Sequence, residues 1–213
     1  MSSLDFSFKQ PTSIQISGPT QCGKTRLVLR ILEHQVIQPF HTRIIWVYKE
    51  PQPDYNEAAR MYPRIEFEHG WRDDIYDRIT PDTQNLLIVD DQMEEADSSI
   101  TLQNLFTKGS HHRNLTIMNL LKNMYNAGTS QRTVSLNTHY NVVFKNPRDA
   151  RQFRCLASQM HFGEFYWLIG AFLDATAKPH GYLVLDHHPK TDDYKRVVSN
   201  ILPGEDLTYY STH

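Results

Sequence analysis

Three observations on the sequence predict an α/β fold around a mainly parallel central sheet. Strand-like apolar runs alternate with helix-patterned segments along the chain, the order that places crossover helices between parallel strands. One run, Asn85–Asp90 (NLLIVD), is apolar between its two ends, as strands covered on both faces of a parallel sheet are. A β-rich run, Thr12–Ser17 (TSIQIS), opens straight into a glycine-containing loop.

Taken in order, Thr12–Ser17 is the first strand. Lys24 to Gln35 follows as a helix, because Leu27, Leu29, Ile31 and Leu32 recur among polar residues. Arg43–Tyr48 (RIIWVY) is a dense apolar strand closed by the turn Pro51-Gln52-Pro53. A weaker strand is expected at Arg64–Glu68, then a helix around Asp73–Arg78. Beyond Asn85–Asp90 come a helix over Ser98–Lys108 and strands at Leu115–Leu121 and Asn141–Lys145. A helix from Arg148 to about Ser158 follows, since Pro147 and Asp149 suit a first turn. Gly163–Thr176 is expected to be helical, with Tyr166–Leu173 as a core segment, and Tyr182–Asp186 (YLVLD) is a late strand. From Gly204 the chain reads as a frayed tail. The expected organisation is therefore one domain over residues 1–204 and a tail over 205–213.

A chain of 213 residues can bury one continuous core, and 39% hydrophobic with 22% charged residues is ordinary soluble composition. No apolar run approaches bilayer-spanning length, so no membrane association is expected, and MSSLDFSFKQ has no signal-peptide core. Two cysteines, Cys22 and Cys155, make no disulfide framework, which favours a reducing intracellular compartment. Net charge is only -2, yet it is unevenly distributed. Glu50 to Asp97 holds fourteen acidic and four basic side chains, whereas Lys108 to Arg154 holds eight basic and one acidic. Such asymmetry marks a surface that meets nucleic acid or phosphate, halves that complement each other across subunits, or charges that only decorate solvated helices.

Gly18-Pro19-Thr20-Gln21-Cys22-Gly23-Lys24-Thr25 matches G-x-x-x-x-G-K-[ST] between a predicted strand and a predicted helix. Glycines let backbone amides wrap phosphates at close range. Lys24 reaches the β- and γ-phosphates of ATP, and the Thr25 hydroxyl ligates Mg²⁺. Cys22 reads as a small loop residue rather than a nucleophile. The strand Leu86-Leu87-Ile88-Val89 delivers Asp90 to the metal and Asp91 to the attacking water. Asp90-Asp91 favours a hydrolase over a small-molecule kinase, in which the acceptor itself is the nucleophile.

The later motifs carry a resemblance. Phe106-Thr107-Lys108-Gly109-Ser110-His111-His112-Arg113-Asn114, Arg132-Thr133-Val134-Ser135-Leu136-Asn137-Thr138-His139-Tyr140 and Phe144-Lys145-Asn146-Pro147-Arg148-Asp149 join the phosphate loop and Asp90-Asp91-Gln92-Met93. Together, from about Ser13 to Gly204, they resemble the packaging ATPases of Polinton/Maverick elements and adintoviruses, related to the poxvirus and adenovirus packaging ATPases within the FtsK/HerA superfamily. The resemblance implies a P-loop NTPase three-layer sandwich of additional-strand (ASCE/RecA-like) type, with the phosphate-loop strand next to the strand ending near Leu121. It also implies a homo-oligomeric ring that moves double-stranded DNA into a capsid of viral proteins, in the host nucleus or at a viral assembly site.

In such rings the ATP site lies between subunits, and Arg132 matches the arginine supplied in trans, with Arg113 and Arg148 as rivals. A guanidinium there stabilises charge developing on the γ-phosphate. One departure concerns sensing. Where similar proteins carry Gln-Asn, this chain has Lys122-Asn123, and a lysine cannot accept a hydrogen bond from water. Sensing then falls to Asn123 or Asn119, or hydrolysis is weakened. His111 and His112 fit no zinc-site spacing and read as structural or subunit-contact residues. Asn137 and Asp149 suit turn and helix-cap roles, and the polar loop Asn123–Gln131 is a candidate for phosphate contact. Two other functions stay open: a host-retained, weakly hydrolysing copy acting as an assembly module, and a small P-loop kinase.

Overall fold

The computed structural model describes residues 6–91, 100–106, 113–124, 134–160 and 165–211. A nine-stranded sheet carries the fold. Its strands are β2 (Ser13–Ser17), β4 (Arg43–Tyr48), β5 (Ile65–His69), β6 (Asn85–Asp90), β7 (Leu115–Leu121), β8 (Tyr140–Phe144), β9 (Tyr182–Asp186), β10 (Val197–Ser199) and β11 (Thr208–Tyr210). They lie in the order β11-β10-β9-β8-β2-β7-β6-β4-β5. From β8 to β5 every pairing is parallel; β9, β10 and β11 extend the sheet antiparallel. A separate parallel pair joins β1 (Phe8–Lys9) to β3 (Ile37–Gln38).

Helices cover both faces, because neighbouring residues of each fully buried strand point to opposite sides. In β6, Leu86 and Ile88 pack with Leu27, Val28 and Ile31 of α1 (Lys24–Glu33) and with Tyr55 of α2 (Asp54–Met61). Leu87 and Val89 face Ile75 of α3 (Ile75–Arg78) and Leu102 of α4 (Ile100–Asn104). Further along that second face, α5 (Arg151–Met160) and α6 (Phe165–Ala175) pack Phe153, Leu156, Leu168 and Phe172 onto Val143, Leu183 and Leu185. The result is the expected three-layer sandwich.

Several expectations shift. The helix after Pro147 starts at Arg151, three residues later than expected, and Asp149 Oδ1 accepts the Arg151 amide at 3.1 Å just ahead of it. α6 is helical but not a core segment throughout, since Tyr166 is 87% exposed and Leu173 lies on the same outer side of the packing. The segment beyond Gly204 is not a frayed tail where it is described: Thr208–Tyr210 pairs with Val197–Ser199. α2 was not expected at all; Asp54 and Glu57 in its first turn suit the positive helix end. Among the described residues no helix is long and apolar enough to cross a membrane.

Part of the acidic stretch is paired with arginines. Arg43 grips both oxygens of Glu66 at 2.8 and 2.9 Å, and Arg78 pairs with Glu66 and Glu68. On the basic side, Arg113 is consumed internally: its Nη1 donates to the Ile79 carbonyl at 2.7 Å and its guanidinium lies 3.9 Å from the Tyr76 ring centroid. Arg148, Arg151 and Arg154, spaced three apart, remain exposed.

Candidate nucleotide site

The C-terminal tips of β2, β7 and β6 are level, with Ser17 opposite Leu121 and Asp90 opposite Leu120. Loops leaving these tips enclose a cleft of about 530 Å³, at the strand end where ligands bind in open parallel sheets.

Gly18–Thr25 wraps one side. Gly18 is obligatory by contact: a Cβ there would lie 2.7 Å from both Cys22 Sγ and Phe144 Cβ. Gly23 has φ 109 and caps α1 without any side-chain hydrogen bond, a backbone shape that favours glycine. The first amides of α1 therefore have no side-chain acceptor at the helix's positive end, which suits an anion. Gln21 also takes a left-handed conformation, φ 66. His180, in the turn before β9, buttresses the loop with Nδ1 3.0 Å from the Cys22 carbonyl oxygen. Burial pushes the Cys22 thiol up, the opposite of what a nucleophile needs.

Lys24 Nζ donates to the Gly18 and Pro19 carbonyls at 2.6 and 3.0 Å. Burial pulls its ammonium below the ordinary lysine range, against the opposing pull of Asp90 and Asp91. Thr25 Oγ1 donates to Gln52 Oε1 at 3.2 Å. On the far side, Asp90 is 4% exposed and its Oδ2 accepts the Tyr55 hydroxyl at 2.9 Å. Burial raises the Asp90 carboxyl above its ordinary value, while the Tyr55 bond and Lys24 pull it back. Tyr55 is itself pushed far above the usual phenol range, first by burial and then by the Asp90 charge, so it stays a donor. Asp91 turns out of the strand at φ 57, and its Oδ2 lies 2.5 Å from Lys122 Nζ.

Lys24, Thr25, Asp90 and Asp91 thus border one cleft. Gly18 does not line it but faces a neighbouring pocket with Ser17 and Phe144, and Pro19 and Cys22 lie on the loop's outer side, toward residues 176–181. Asn123 is exposed and turned toward α5, with Oδ1 3.5 Å from Gln152 Nε2; it does not line the cleft. Asn119 is fully buried within β7. Arg132, His111 and His112 lie outside the described residues. The Asn137–Tyr140 motif sits at the opposite end of the sheet: Ser13 Oγ donates to the Asn137 carbonyl at 2.7 Å, and the His139 amide donates to the Ser13 carbonyl at 3.0 Å. It clamps the start of β8 to the start of the phosphate-loop strand. No group of three or more metal-ligating His, Cys, Asp or Glu occurs among the described residues.

Gln52, Tyr55, His180 and the role of Lys122 as a partner of Asp91 were missed from sequence. The acidic first turn after Pro53 signals the helix that carries Tyr55, but nothing local signals the bond from Tyr55 to Asp90.

Within the parallel part, the order β8-β2-β7-β6-β4 inserts one strand, β7, between the phosphate-loop strand and the acidic strand. That order and the loop between β2 and α1 define a P-loop NTPase fold of the additional-strand type. No protein-family profile matches the sequence, and no curated protein matches it. Solved structures do match in fold. The genome packaging NTPase B204 from Sulfolobus turreted icosahedral virus 2, in complex with ATP-gammaS, aligns with TM-score 0.57 and 10% identity over 95% of this chain and 98% of that one. B204, the DNA-packaging ATPase from Sulfolobus turreted icosahedral virus, gives TM-score 0.56 and 9% identity over 96% and 98%. EssC (ATPases 2 and 3) from Geobacillus thermodenitrificans gives 0.50 and 9% identity, over 71% of this chain and 35% of that one.

Proposed function

We propose that this chain is a Mg²⁺-dependent ATPase that drives double-stranded DNA into a viral capsid as a homo-oligomeric ring, of the Polinton or adintovirus kind, working in the host nucleus or at a viral assembly site. The observation that carries it is the cleft itself, with Lys24 and Thr25 on one wall and Asp90 and Asp91 on the other. The likeness in fold to packaging NTPases, over nearly the full length of both chains, supports the same reading.

The chemistry follows from the residues. Lys24 and the amides of Gly18–Thr25 hold the phosphates of ATP. A water oxygen attacks the γ-phosphorus, the bond to the β–γ bridging oxygen breaks, and ADP leaves with that electron pair. Asp91 takes the proton lost by the water. Thr25 Oγ1 and the Asp90 carboxylate are hard oxygen donors on the same cleft, a set that fits Mg²⁺; when bound, the ion neutralises phosphate charge. Tyr55 keeps the Asp90 carboxylate aimed, and Gln52 orients the Thr25 hydroxyl. Arg132 is assigned to a neighbour's site on the resemblance of its motif to the packaging ATPases; of its rivals, Arg113 is already engaged within its own subunit. The exposed row Arg148, Arg151 and Arg154 is assigned to DNA phosphates.

Steady-state ATP hydrolysis, measured with and without double-stranded DNA over a range of protein concentrations, tests the proposal, with Lys24→Ala as control. DNA stimulation that steepens with concentration is expected of sites completed between subunits. Hydrolysis indifferent to both would overturn the motor. A second reading, a nucleotide-binding assembly module with weak turnover, draws on the Lys122–Asp91 ion pair, which ties up the water-activating carboxylate.

A further inference from the structure

His41 lies just ahead of β4 and is 5% exposed, yet neither nitrogen of its ring has a hydrogen-bond partner. Native proteins rarely leave a buried polar group in that state, because its lost hydration is not offset. Burial lowers the imidazole to about 4, so at neutral pH it is uncharged, with one N–H donor and one bare nitrogen acceptor. It lines a cavity of about 350 Å³ with Phe40, Ile44, Met61, Tyr62 and Arg64. The Phe40 ring centroid is 5.8 Å from that of His41 and 6.1 Å from that of Tyr62. The fold fixes these walls. The Tyr62 amide closes α2 on the Ala58 carbonyl at 2.8 Å, and the Tyr62 carbonyl accepts the Ile65 amide at 3.0 Å as β5 begins. Thr42, on the same wall, is spent on Gln84: its hydroxyl donates to the carbonyl at 3.3 Å and accepts the amide at 3.2 Å. Arg64 is exposed and makes no hydrogen bond or ion pair among the described residues.

The occupant follows from the walls. Aromatic and aliphatic surface takes a flat apolar ring, and the bare imidazole nitrogen takes an N–H or O–H carried on that ring. The free guanidinium takes a carboxylate beside it. We propose that this cavity is a docking socket for a tryptophan or tyrosine side chain, flanked by an acidic residue, on a partner protein. Such ring-bearing anchors, seated in a pocket, supply much of the binding energy of an interface. Phenylalanine fills the same space but leaves the imidazole unmatched. The socket opens where β4 and β5 begin, at the opposite end of the sheet from the nucleotide cleft. It stands apart from the ATPase reading, and a partner held there leaves the cleft open.

The probes are acetyl-Glu-Trp-Glu-amide, the same peptide with Phe for Trp, and acetyl-Gln-Trp-Gln-amide. Each is titrated into the wild type, His41→Phe and Arg64→Ala, with the His41 ring followed by NMR and the melting temperature checking each variant's fold. The Glu-Trp-Glu peptide is expected to shift the His41 resonances saturably and to bind about tenfold tighter than its Phe counterpart, the worth of one buried hydrogen bond. His41→Phe should erase that difference, and Arg64→Ala should erase an advantage of about two- to fivefold for Glu over Gln. Equal binding of the Trp and Phe peptides to the wild type, or no saturable shift at His41, overturns the proposal whatever the variants do. Adenosine binding more tightly than the Trp peptide at His41 overturns it too, in favour of a nucleoside site. A change of oligomeric state in His41→Phe and Arg64→Ala, read by sedimentation, does the same in favour of a second copy of this chain.

Discussion

Three side chains of the proposed site, Thr25, Asp90 and Asp91, pair with neighbours distant in sequence. Asp90 is buried and its charge is supported by the Tyr55 hydroxyl. Tyr55→Phe is expected to destabilise the fold by about 1.5–3 kcal/mol, the worth of a hydrogen bond to a charged group, read as a lower denaturant midpoint with unchanged m. Lys24→Ala and Asp91→Asn separate two roles. Lys24→Ala should abolish nucleotide binding in calorimetry, whereas Asp91→Asn should keep binding and lose roughly 10²–10⁴-fold in kcat. The phosphate loop could be found from sequence because all of its chemistry is local: glycines, lysine and threonine within eight consecutive residues. Tyr55 and Gln52 could not, because their partners Asp90 and Thr25 lie 35 and 27 residues away. Asn123 is a candidate through the Gln-Asn pair of similar proteins, and the backbone turns it toward Gln152 instead.

Whole elements were legible to the extent that burial is uniform along them. Arg43–Tyr48, Asn85–Asp90, Leu115–Leu121 and Tyr182–Asp186 have the bounds read from the sequence, because a strand covered on both faces reads as a nearly continuous apolar run. β10 and β11 escaped notice because three residues carry no period. α2 escaped because its buried residues, Tyr55 and Ala58, are too few to make a stripe. Arg113 illustrates a tie between elements, holding the end of α3 against the start of β7 through the Ile79 carbonyl. Arg113→Met should therefore cost about 2–3 kcal/mol of stability and leave kcat per folded molecule intact; a large loss of kcat without loss of stability would return Arg113 to the list of arginines acting in trans.

For the whole molecule, a buried histidine, His41, and a half-buried one, His187, make stability depend on pH. Burial lowers His41 and His187 to about 4 from an ordinary 6.5. Both are neutral in the native protein, so the unfolded chain binds more protons below pH 6.5. Their contribution is full above pH 6.5 and is lost as pH falls toward 4. For His41, which is 5% exposed, the loss amounts to about 3 kcal/mol. Melting temperature should drop across that window, and His41→Phe should flatten the drop. On the DNA side, Arg151→Ala with Arg154→Ala should reduce DNA stimulation and make it less sensitive to salt, because two phosphate contacts release fewer counterions; an unchanged salt slope would remove α5 from the DNA path. The inserted strand β7 has one more consequence. Because β2 and β6 flank it, the strands that carry the Gly18–Thr25 loop and Asp90-Asp91 stand two strand-to-strand steps apart, roughly 9.5 Å. That gauge is cut by backbone hydrogen bonding rather than by any side chain, so a substitution that leaves a loop's backbone path intact leaves the spacing beneath it unchanged.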